Sequence, residues 1–142
     1  MKNRTDILNF LIKLNNFNNY LEIGVRNPGD NFNKIKLPNE SKDGVDPCAK
    51  SNCNYNLTSD IFFQKNKKKY DIIFIDGLHL EQQVIRDIKN SLSCLNDNGY
   101  IVIHDCNPIK ESHQIEYYDG FSIWNGTTWK GFVHFRLTAP NL

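Results

Sequence analysis

The sequence predicts an α/β domain with a doubly wound, mostly parallel sheet and helices on both of its faces. Two near-continuous apolar runs, YDIIFID at 70–76 and GYIVIHD at 99–105, are typical of strands buried on both faces. Between them, apolar residues recur at helical spacing: Leu80, Val84, Ile85, Ile88, Leu92 and Leu95. A strand, a helix and another strand in this order favour parallel pairing.

The first part of the chain predicts a helix and two further strands. Thr5 is a plausible helix cap, and the apolar spacing after it predicts a helix over about 5–17. YLEIG at 20–24 is a short apolar run that ends in glycine, and KDGVDP at 42–47 is a second run, stopped by proline. Both runs are expected to be strands of the same sheet.

The remaining elements follow from local signals. A short strand is predicted near 55–58, and Ser59 or Asp60 is expected to cap a brief helix after it. NDNG at 96–99 is expected to end the long central helix. The last stretch, 125–137, fits a helix or a strand by pattern, and a helix is the prediction.

The composition is typical of one ordinary globular domain, residues 1–142. The 142 residues are 39% hydrophobic and carry a formal charge of +1, which argues against disorder and gives no sign of nucleic-acid binding. The chain has no apolar run long enough to span a membrane and no leader-like start, so a cytoplasmic protein is expected. Reduced thiols are expected at all four cysteines: Cys48, Cys53, Cys94 and Cys106.

Polar residues stand where the predicted strands end. They are Gly24 after Glu22, then Asp46, Asp76 with His79, and His104 with Asp105. In an open α/β sheet, ligands bind beyond the carboxyl ends of the strands, where the strand order reverses. A helix cap is an alternative role for any single acid, but it does not explain Asp46 before a proline or Asp105 before CNP.

The turn after the first strand predicts a ligand without phosphates. GVRNPGDN at 24–31 lacks the G-x-G-x-x-G fingerprint of dinucleotide sites and the lysine of a P-loop. Glu22 would repel a pyrophosphate but attract a sulfonium or ammonium group. Asp46 ends the second strand, from which a carboxylate can accept hydrogen bonds from both ribose hydroxyls. These features predict a positively charged nucleoside.

These motifs resemble those of the class I S-adenosylmethionine-dependent methyltransferases. YLEIGVR is similar to their first motif, GVDP to the end of their second strand, and TSDIFF to their adenine-side loop. Within that group the chain resembles small methyltransferases with IDG-x-H and HDCNP signatures. The resemblance implies a Rossmann-like sheet, although the chain has no evident segments for the usual C-terminal antiparallel strand pair. Arg26 stands where many relatives have glycine, which is acceptable if its φ stays negative.

The resemblance also implies roles for individual residues. S-adenosylmethionine would be bound by Glu22, Gly24, Asp46, Asp60 and Asp76. Asp76 and His79 would be catalytic, with His79 as the base, and Asp76 and Asp105 would hold Mg²⁺ in relatives that use a metal. Other roles stay open at this point: a first-turn helix position for His79, and cofactor or loop contacts without a metal for the two acids. Trp124 and Trp129 are expected to pack on the sheet or to form a wall of the acceptor pocket.

The predicted function is methyl transfer from S-adenosylmethionine to a hydroxyl oxygen of a sugar or other small molecule. Loss of a hydroxyl proton to a neutral imidazole near pH 7 makes this chemistry coherent. A non-catalytic or shortened methyltransferase-fold module for binding or assembly is the alternative, and a nicotinamide-dependent oxidoreductase is disfavoured by the glycine spacing. A small-molecule acceptor and a homodimer are the expected partners, with no membrane or nucleic acid.

Overall fold

The computed structural model describes residues 3–120 and 123–139, so 1–2, 121–122 and 140–142 of the predicted domain lie outside the described residues. The helices are α1 Arg4–Asn15, α2 Ser59–Lys65, α3 Glu81–Cys94 and α4 Thr128–Thr138. The strands are β1 Tyr20–Ile23, β2 Lys42–Val45, β3 Tyr70–Ile75 and β4 Leu95–Ile103. Strands and helices alternate from β2 to β4, as the sequence predicts.

The four strands form one parallel sheet in the order β2-β1-β3-β4. Within residues 3–120 and 123–139 every strand pairing is parallel, and no antiparallel strand is present. The chain leaves β1 for β2 on one side and later returns to β3 on the other. The strand order therefore reverses between β1 and β3, which places the switch point beside the loops after Ile23 and Ile75.

Two apolar clusters cover the two faces of the sheet, and the doubly wound prediction is confirmed. On one face, Leu8 and Ile12 of α1 pack with buried residues of β1 and β3. On the other face, Val84 and Ile88 of α3 pack with Phe62 of α2 and with the remaining strand side chains. Burial of a large apolar side chain contributes roughly 1.5–3 kcal/mol, so these clusters hold the strand ends in fixed positions.

The N-terminal helix begins earlier than predicted. Its cap is Asn3, whose side chain accepts from the Asp6 N–H while the Asp6 side chain accepts from the Asn3 N–H. This reciprocal pair is a capping box and satisfies two backbone donors, which a cap at Thr5 would not do. Thr5 is buried and donates to Asn31 Oδ1 at 2.7 Å.

The short strand predicted near 55–58 is reduced to a single parallel bridge between Tyr55 and Val45. The helix after it is capped by Thr58, which accepts from the Ile61 N–H at 3.4 Å, and not by Ser59 or Asp60. Both predicted cap residues belong to the first turn of α2 instead. The predicted brief helix is confirmed.

The other predicted boundaries differ by a few residues. The central helix ends at Cys94, and Leu95 already pairs with Tyr70 as the first residue of β4. The predicted turn at 96–99 is an irregularity within that strand, where Asn98 has a φ of 62°. The stretch 125–137 overlaps α4, Thr128–Thr138, over all but its last residue, so the helix prediction is confirmed.

Two further findings concern the whole described chain. None of the described helices is long and apolar enough to cross a membrane. All four cysteines are free thiols, which agrees with the expected reduced state.

Candidate functional site

A cavity of about 670 Å³ lies at the carboxyl ends of the strands. Loops after all four strands contribute to it, together with the first turns of α1 and α2. Its size is within the range of small-molecule and cofactor sites. Five aspartates and two arginines line it: Asp30, Asp46, Asp60, Asp76, Asp105, Arg4 and Arg26. The cavity therefore has an excess of negative charge, which favours a positively charged ligand.

Gly24 allows the loops after β1 and β3 to cross in close contact. Its φ is +89°, and a Cβ atom there would lie 2.1 Å from the Asp76 carbonyl oxygen. Nearby, the Asp76 N–H donates to the Ile23 carbonyl at 2.8 Å. Only glycine meets both the conformational and the steric demand. The predicted site residue Gly24 thus lies on the cavity wall directly beside Asp76.

Asp46 is held in one orientation on the cavity wall by backbone donors. Its Oδ2 accepts from the Arg26 N–H and its Oδ1 from the Cys48 N–H, both at 2.8 Å. Arg26 has a φ of +44°, so the condition under which an arginine would be acceptable at this position, a negative φ, is not met. A non-glycine residue in this region is strained by about 1–2 kcal/mol, which the hydrogen bond to Asp46 helps to offset.

Asp60 lines the same cavity from the first turn of α2. Its Oδ1 accepts from Gln83 Nε2 at 3.2 Å and lies 3.5 Å from Arg86 Nε. Gln83 also lines the cavity and connects Asp60 to the buried Asp87 through a second hydrogen bond of 3.0 Å. Asp60 therefore has a partly fixed position at the end of the cavity formed by β2 and α2.

Glu22 differs from the other predicted cofactor residues because it does not line the cavity. Glu22 is 2% exposed, and its Oε2 accepts from Tyr20 Oη at 2.5 Å and from Asn31 Nδ2 at 2.8 Å. Burial raises the pKa of Glu22 to about 7, although the two hydrogen bonds act in the opposite direction. The geometry gives no support for a direct contact between Glu22 and a ligand in the cavity.

Asp76, His79, His104 and Asp105 come together above β3 and β4. Asp76 Oδ1 lies 3.4 Å from His79 Nε2 and 3.2 Å from His104 Nδ1. Asp105 Oδ2 lies 3.5 Å from His79 Nε2 and 3.1 Å from His104 Nδ1. The sequence placed all four at strand ends but predicted site roles only for Asp76, His79 and Asp105, and the structure shows that His104 lies among them.

The second carboxylate oxygen of each aspartate accepts a hydrogen bond from a residue that the sequence did not predict as part of the site. Arg4 Nη1 donates to Asp76 Oδ2 at 2.8 Å, and Asn125 Nδ2 donates to Asp105 Oδ1 at 2.7 Å. Asp105 itself has a φ of +54°. Neither Arg4 nor Asn125 belongs to a motif, because each reaches the site from a distant part of the chain.

The charges of this group perturb one another. Burial raises the pKa of Asp76, but the contacts with His104, His79 and Arg4 outweigh burial and lower that pKa to about 2. The contacts with Asp105 and Asp76 raise the pKa of His104 to about 9, against the effect of burial. In the absence of other ligands, Asp76 is therefore ionised and His104 protonated at neutral pH.

The donor set does not match the Mg²⁺ site that the resemblance implied. One atom from each of Asp76, His79 and Asp105 lies within 4.8 Å of the others, so a cation can be accommodated. However, Mg²⁺ prefers six oxygen ligands, several of them waters, and two imidazole nitrogens occupy this space. The predicted pair Asp76 and Asp105 is brought together, but as part of a mixed nitrogen and oxygen cluster.

Aromatic rings form the cavity wall next to this cluster. The Trp124 ring lies 4.9 Å from the His79 ring and 5.7 Å from the Tyr118 ring. Trp124 Nε1 donates to the Ile115 carbonyl at 2.6 Å, which fixes the indole. The expected wall role of Trp124 agrees with this position, whereas Trp129 is not among the lining residues.

Comparison with known proteins gives one family match. A family model described as a methyltransferase domain matches residues 34–106, just over half of the chain. The match runs from before β2 to just beyond β4 and includes Asp46, Asp60, Asp76, His79 and Asp105. No curated protein matches the chain significantly.

Proposed function

Since the chain belongs to this methyltransferase domain family, we propose that it transfers a methyl group from S-adenosylmethionine to a hydroxyl oxygen of a sugar-like small molecule. The observation that carries the proposal is the convergence of Asp46, Asp60 and Asp76 on one cavity with Gly24. These residues come from three different strand ends and from the first turn of a helix.

The cavity suits both the nucleoside part and the positively charged amino-acid part of this cofactor. Asp46 presents a carboxylate fixed by two backbone donors, and such a group can accept hydrogen bonds from both ribose hydroxyls. Asp60 lines the same cavity from the first turn of α2, where its carboxylate can accept a hydrogen bond from the adenine amino group. Gly24 holds the loops after β1 and β3 in contact along the cavity wall, and Asp76 provides negative charge for the sulfonium and ammonium groups.

Methyl transfer forms a carbon–oxygen bond as the carbon–sulfur bond breaks, and the hydroxyl proton must leave. We assign its acceptor as the imidazole of His79, which lines the cavity beside Asp76 and Asp105. His79 Nδ1 is buried and has no hydrogen-bond partner among the described residues. A base in this position typically contributes about 10²–10⁴-fold in rate.

Calorimetry with S-adenosylmethionine and with NAD tests the cofactor assignment. S-adenosylmethionine is expected to bind, and Asp46→Asn to weaken binding by roughly 10–100-fold, because a hydrogen bond to a charged group contributes about 1.5–3 kcal/mol. Asp97→Asn is the control, since Asp97 is exposed and is not a lining residue. Binding of NAD alone would refute the proposal.

Transfer of a labelled methyl group to a panel of methyl glycosides and simple polyols tests the reaction. Activity is expected to fall about 10²-fold or more in His79→Ala, with unchanged affinity for S-adenosylmethionine. Cofactor binding without transfer to any member of the panel would instead support the non-catalytic module. The negative cavity also predicts a preference for neutral acceptors over the corresponding uronates, because the latter carry a carboxylate.

A further inference from the structure

The outer face of α1 carries a stripe of exposed apolar side chains. Ile7, Phe10 and Leu14 are three and four residues apart, so they lie along one side of the helix. They are 44%, 53% and 62% exposed, whereas Leu8 and Ile12 on the opposite side are buried against the sheet. Helix α1 therefore has one apolar face toward the core and a second apolar face toward solvent.

Two opposite charges flank this stripe on the same side. Asp6 and Lys13 are both exposed and are seven residues apart, so they lie along one edge of the helix, about 10 Å from each other. Apolar positions at alternating spacings of three and four, with charges beside them, are the pattern of a coiled-coil seam. In such a seam the flanking charges determine the direction in which a second helix packs.

A second copy of α1 matches this pattern when the two helices run antiparallel. A two-fold axis across the stripe would place Ile7 against Phe10 of the second copy and Asp6 against Lys13 of the second copy. Because of the symmetry, each of these contacts would form twice. A parallel pair would instead bring each charge level with the same charge of the second copy, so charge complementarity selects the antiparallel arrangement.

A second exposed apolar face, on α4, does not match itself in this way. Phe132, Val133 and Leu137 are 39%, 37% and 77% exposed. Helix α4 also contains Lys130 and Arg136 but no acidic residue, so two copies of it would bring positive charges together in either direction. Charge complementarity therefore favours α1 as the self-associating face.

We propose that the protein forms a two-fold symmetric dimer by antiparallel packing of α1 against α1 of a second copy. A cavity of about 600 Å³ lies beside the stripe, and Asp6, Phe10 and Lys13 border both, so the second helix would cover part of this cavity. Two short helices make a contact at the small end of the range for specific interfaces. The dimer is therefore expected to be weak, with a dissociation constant of about 1–100 µM.

The dimer does not depend on the proposed function, because neither the stripe nor its flanking charges line the cavity at the strand ends. Self-association is also measurable without any cofactor or methyl acceptor. A failure of the dimer is therefore distinguishable from a failure of the methyltransferase assignment.

Sedimentation velocity of the full chain, from about 1 to 300 µM, tests the dimer. A reversible equilibrium between monomer and dimer is expected, and Phe10→Gln should weaken it at least about tenfold, since an aromatic ring leaves both halves of the interface. Leu137→Gln is the matched control, because it removes a more exposed apolar side chain and should change the dissociation constant by less than about twofold. A chain that stays monomeric throughout, or an equal loss in Leu137→Gln, would overturn the proposal.

Charge reversal tests the antiparallel direction. Lys13→Glu would set like charges against Asp6 of the second copy, and Asp6→Lys would set like charges against Lys13, so each variant alone should dimerise roughly 5–30-fold more weakly. An equimolar mixture of the two should return to within about threefold of the parent, because each chain then meets the opposite charge in the other. Circular dichroism checks that Asp6→Lys, which loses the capping box, keeps its helices. Folded variants that do not associate on mixing would overturn the antiparallel dimer, as would full dimerisation of Lys13→Glu alone.

Discussion

Arg4 and Asp76 are 72 positions apart in the sequence, and Arg4 Nη1 donates a 2.8 Å hydrogen bond to Asp76 Oδ2. The bond joins the first turn of α1 to the loop after β3, and both residues line the cavity. The helix that covers one face of the sheet therefore also determines the orientation of a carboxylate at its edge.

Removal of the Arg4 side chain is expected to lower the stability of the fold and to change the ionisation of Asp76. In Arg4→Ala the pKa of Asp76 should rise from about 2, because a positive charge that favours the carboxylate is lost. The free energy of unfolding should fall by about 1 kcal/mol, a modest amount because the Arg4 side chain is 32% exposed. NMR titration and urea unfolding measure the two effects.

Arg86→Ala provides the comparison for Arg4. Arg86 also lies near a cavity aspartate, but the Arg86 and Asp60 side chains are 52% and 41% exposed. Exposed ion pairs contribute about 0–1 kcal/mol, so this variant should lose less stability. A larger loss in Arg86→Ala than in Arg4→Ala would contradict the role given to the Arg4–Asp76 bond.

Gly24→Ala is expected to disrupt the crossing of the two loops. The added Cβ would lie 2.1 Å from the Asp76 carbonyl oxygen at a φ of +89°, so the backbone would have to shift. We expect the variant to lose at least about 2 kcal/mol of unfolding free energy and most of its affinity for S-adenosylmethionine. Urea unfolding and calorimetry measure these losses.

Gly29→Ala, in the same turn, controls for the substitution itself. Its added Cβ would meet only Asn27 Oδ1, at 3.4 Å, which is ordinary contact. The stability of this variant should remain within about 0.5 kcal/mol of the parent, as for surface changes. Equal effects at Gly24 and Gly29 would show that the crossing does not require glycine.

The buried Glu22 is expected to make stability depend on pH. Its pKa is raised from 4.5 to about 7, so between these values the folded chain keeps a proton that the unfolded chain releases. The stabilising contribution is thus fully present below pH 4.5 and is lost as the pH rises toward 7. Glu22→Gln keeps an acceptor for Tyr20 and Asn31 but removes the titration.

Urea unfolding of parent and Glu22→Gln from pH 4 to pH 8 isolates this contribution. The stability of the parent relative to the variant should fall by about 3 kcal/mol across the window, in line with 1.36 kcal/mol per pKa unit. The difference cancels the titration of the histidines, which both proteins share. A difference that does not change with pH would rule out a raised pKa at Glu22.

Arg26→Gly is expected to stabilise the protein. Arg26 has a φ of +44°, where a side chain costs about 1–2 kcal/mol and glycine avoids that cost at a smaller entropic penalty. The gain in unfolding free energy should be about 0.5–1 kcal/mol. Arg26→Ala keeps the backbone strain, so it should show no gain in unfolding free energy. A gain in both variants would show that the charge of Arg26, and not its φ, is the cause.

Much of the fold was predictable because local patterns determine it. Strands such as Tyr70–Ile75 are buried on both faces and therefore read as continuous apolar runs, while α3 shows the spacing of a half-buried helix. The topology rule for parallel sheets then places the strand ends at one edge, which is why Asp46, Asp76 and Asp105 were predicted to meet.

The remaining features depend on tertiary contacts that no local pattern encodes. Arg4 and Asn125 reach the aspartates from opposite ends of the chain. Glu22 was misjudged because it stands one residue before the end of β1, so its side chain faces a layer of the core and not the edge. The strand at 55–58 has a suitable sequence, but only Tyr55 finds a partner in Val45.

The parallel order β2-β1-β3-β4 has a consequence for how the chain folds. None of the described strands can find its neighbour through a tight hairpin, because every pairing joins segments separated by a long crossover. Such non-local pairing slows folding, since the entropy of closing each loop is lost before the contacts form. During synthesis β1 would emerge first, yet its second neighbour, β3, emerges only some 50 residues later. The central β1–β3 pairing can therefore form only after the whole of β2 has been made, and the β3–β4 pairing follows it.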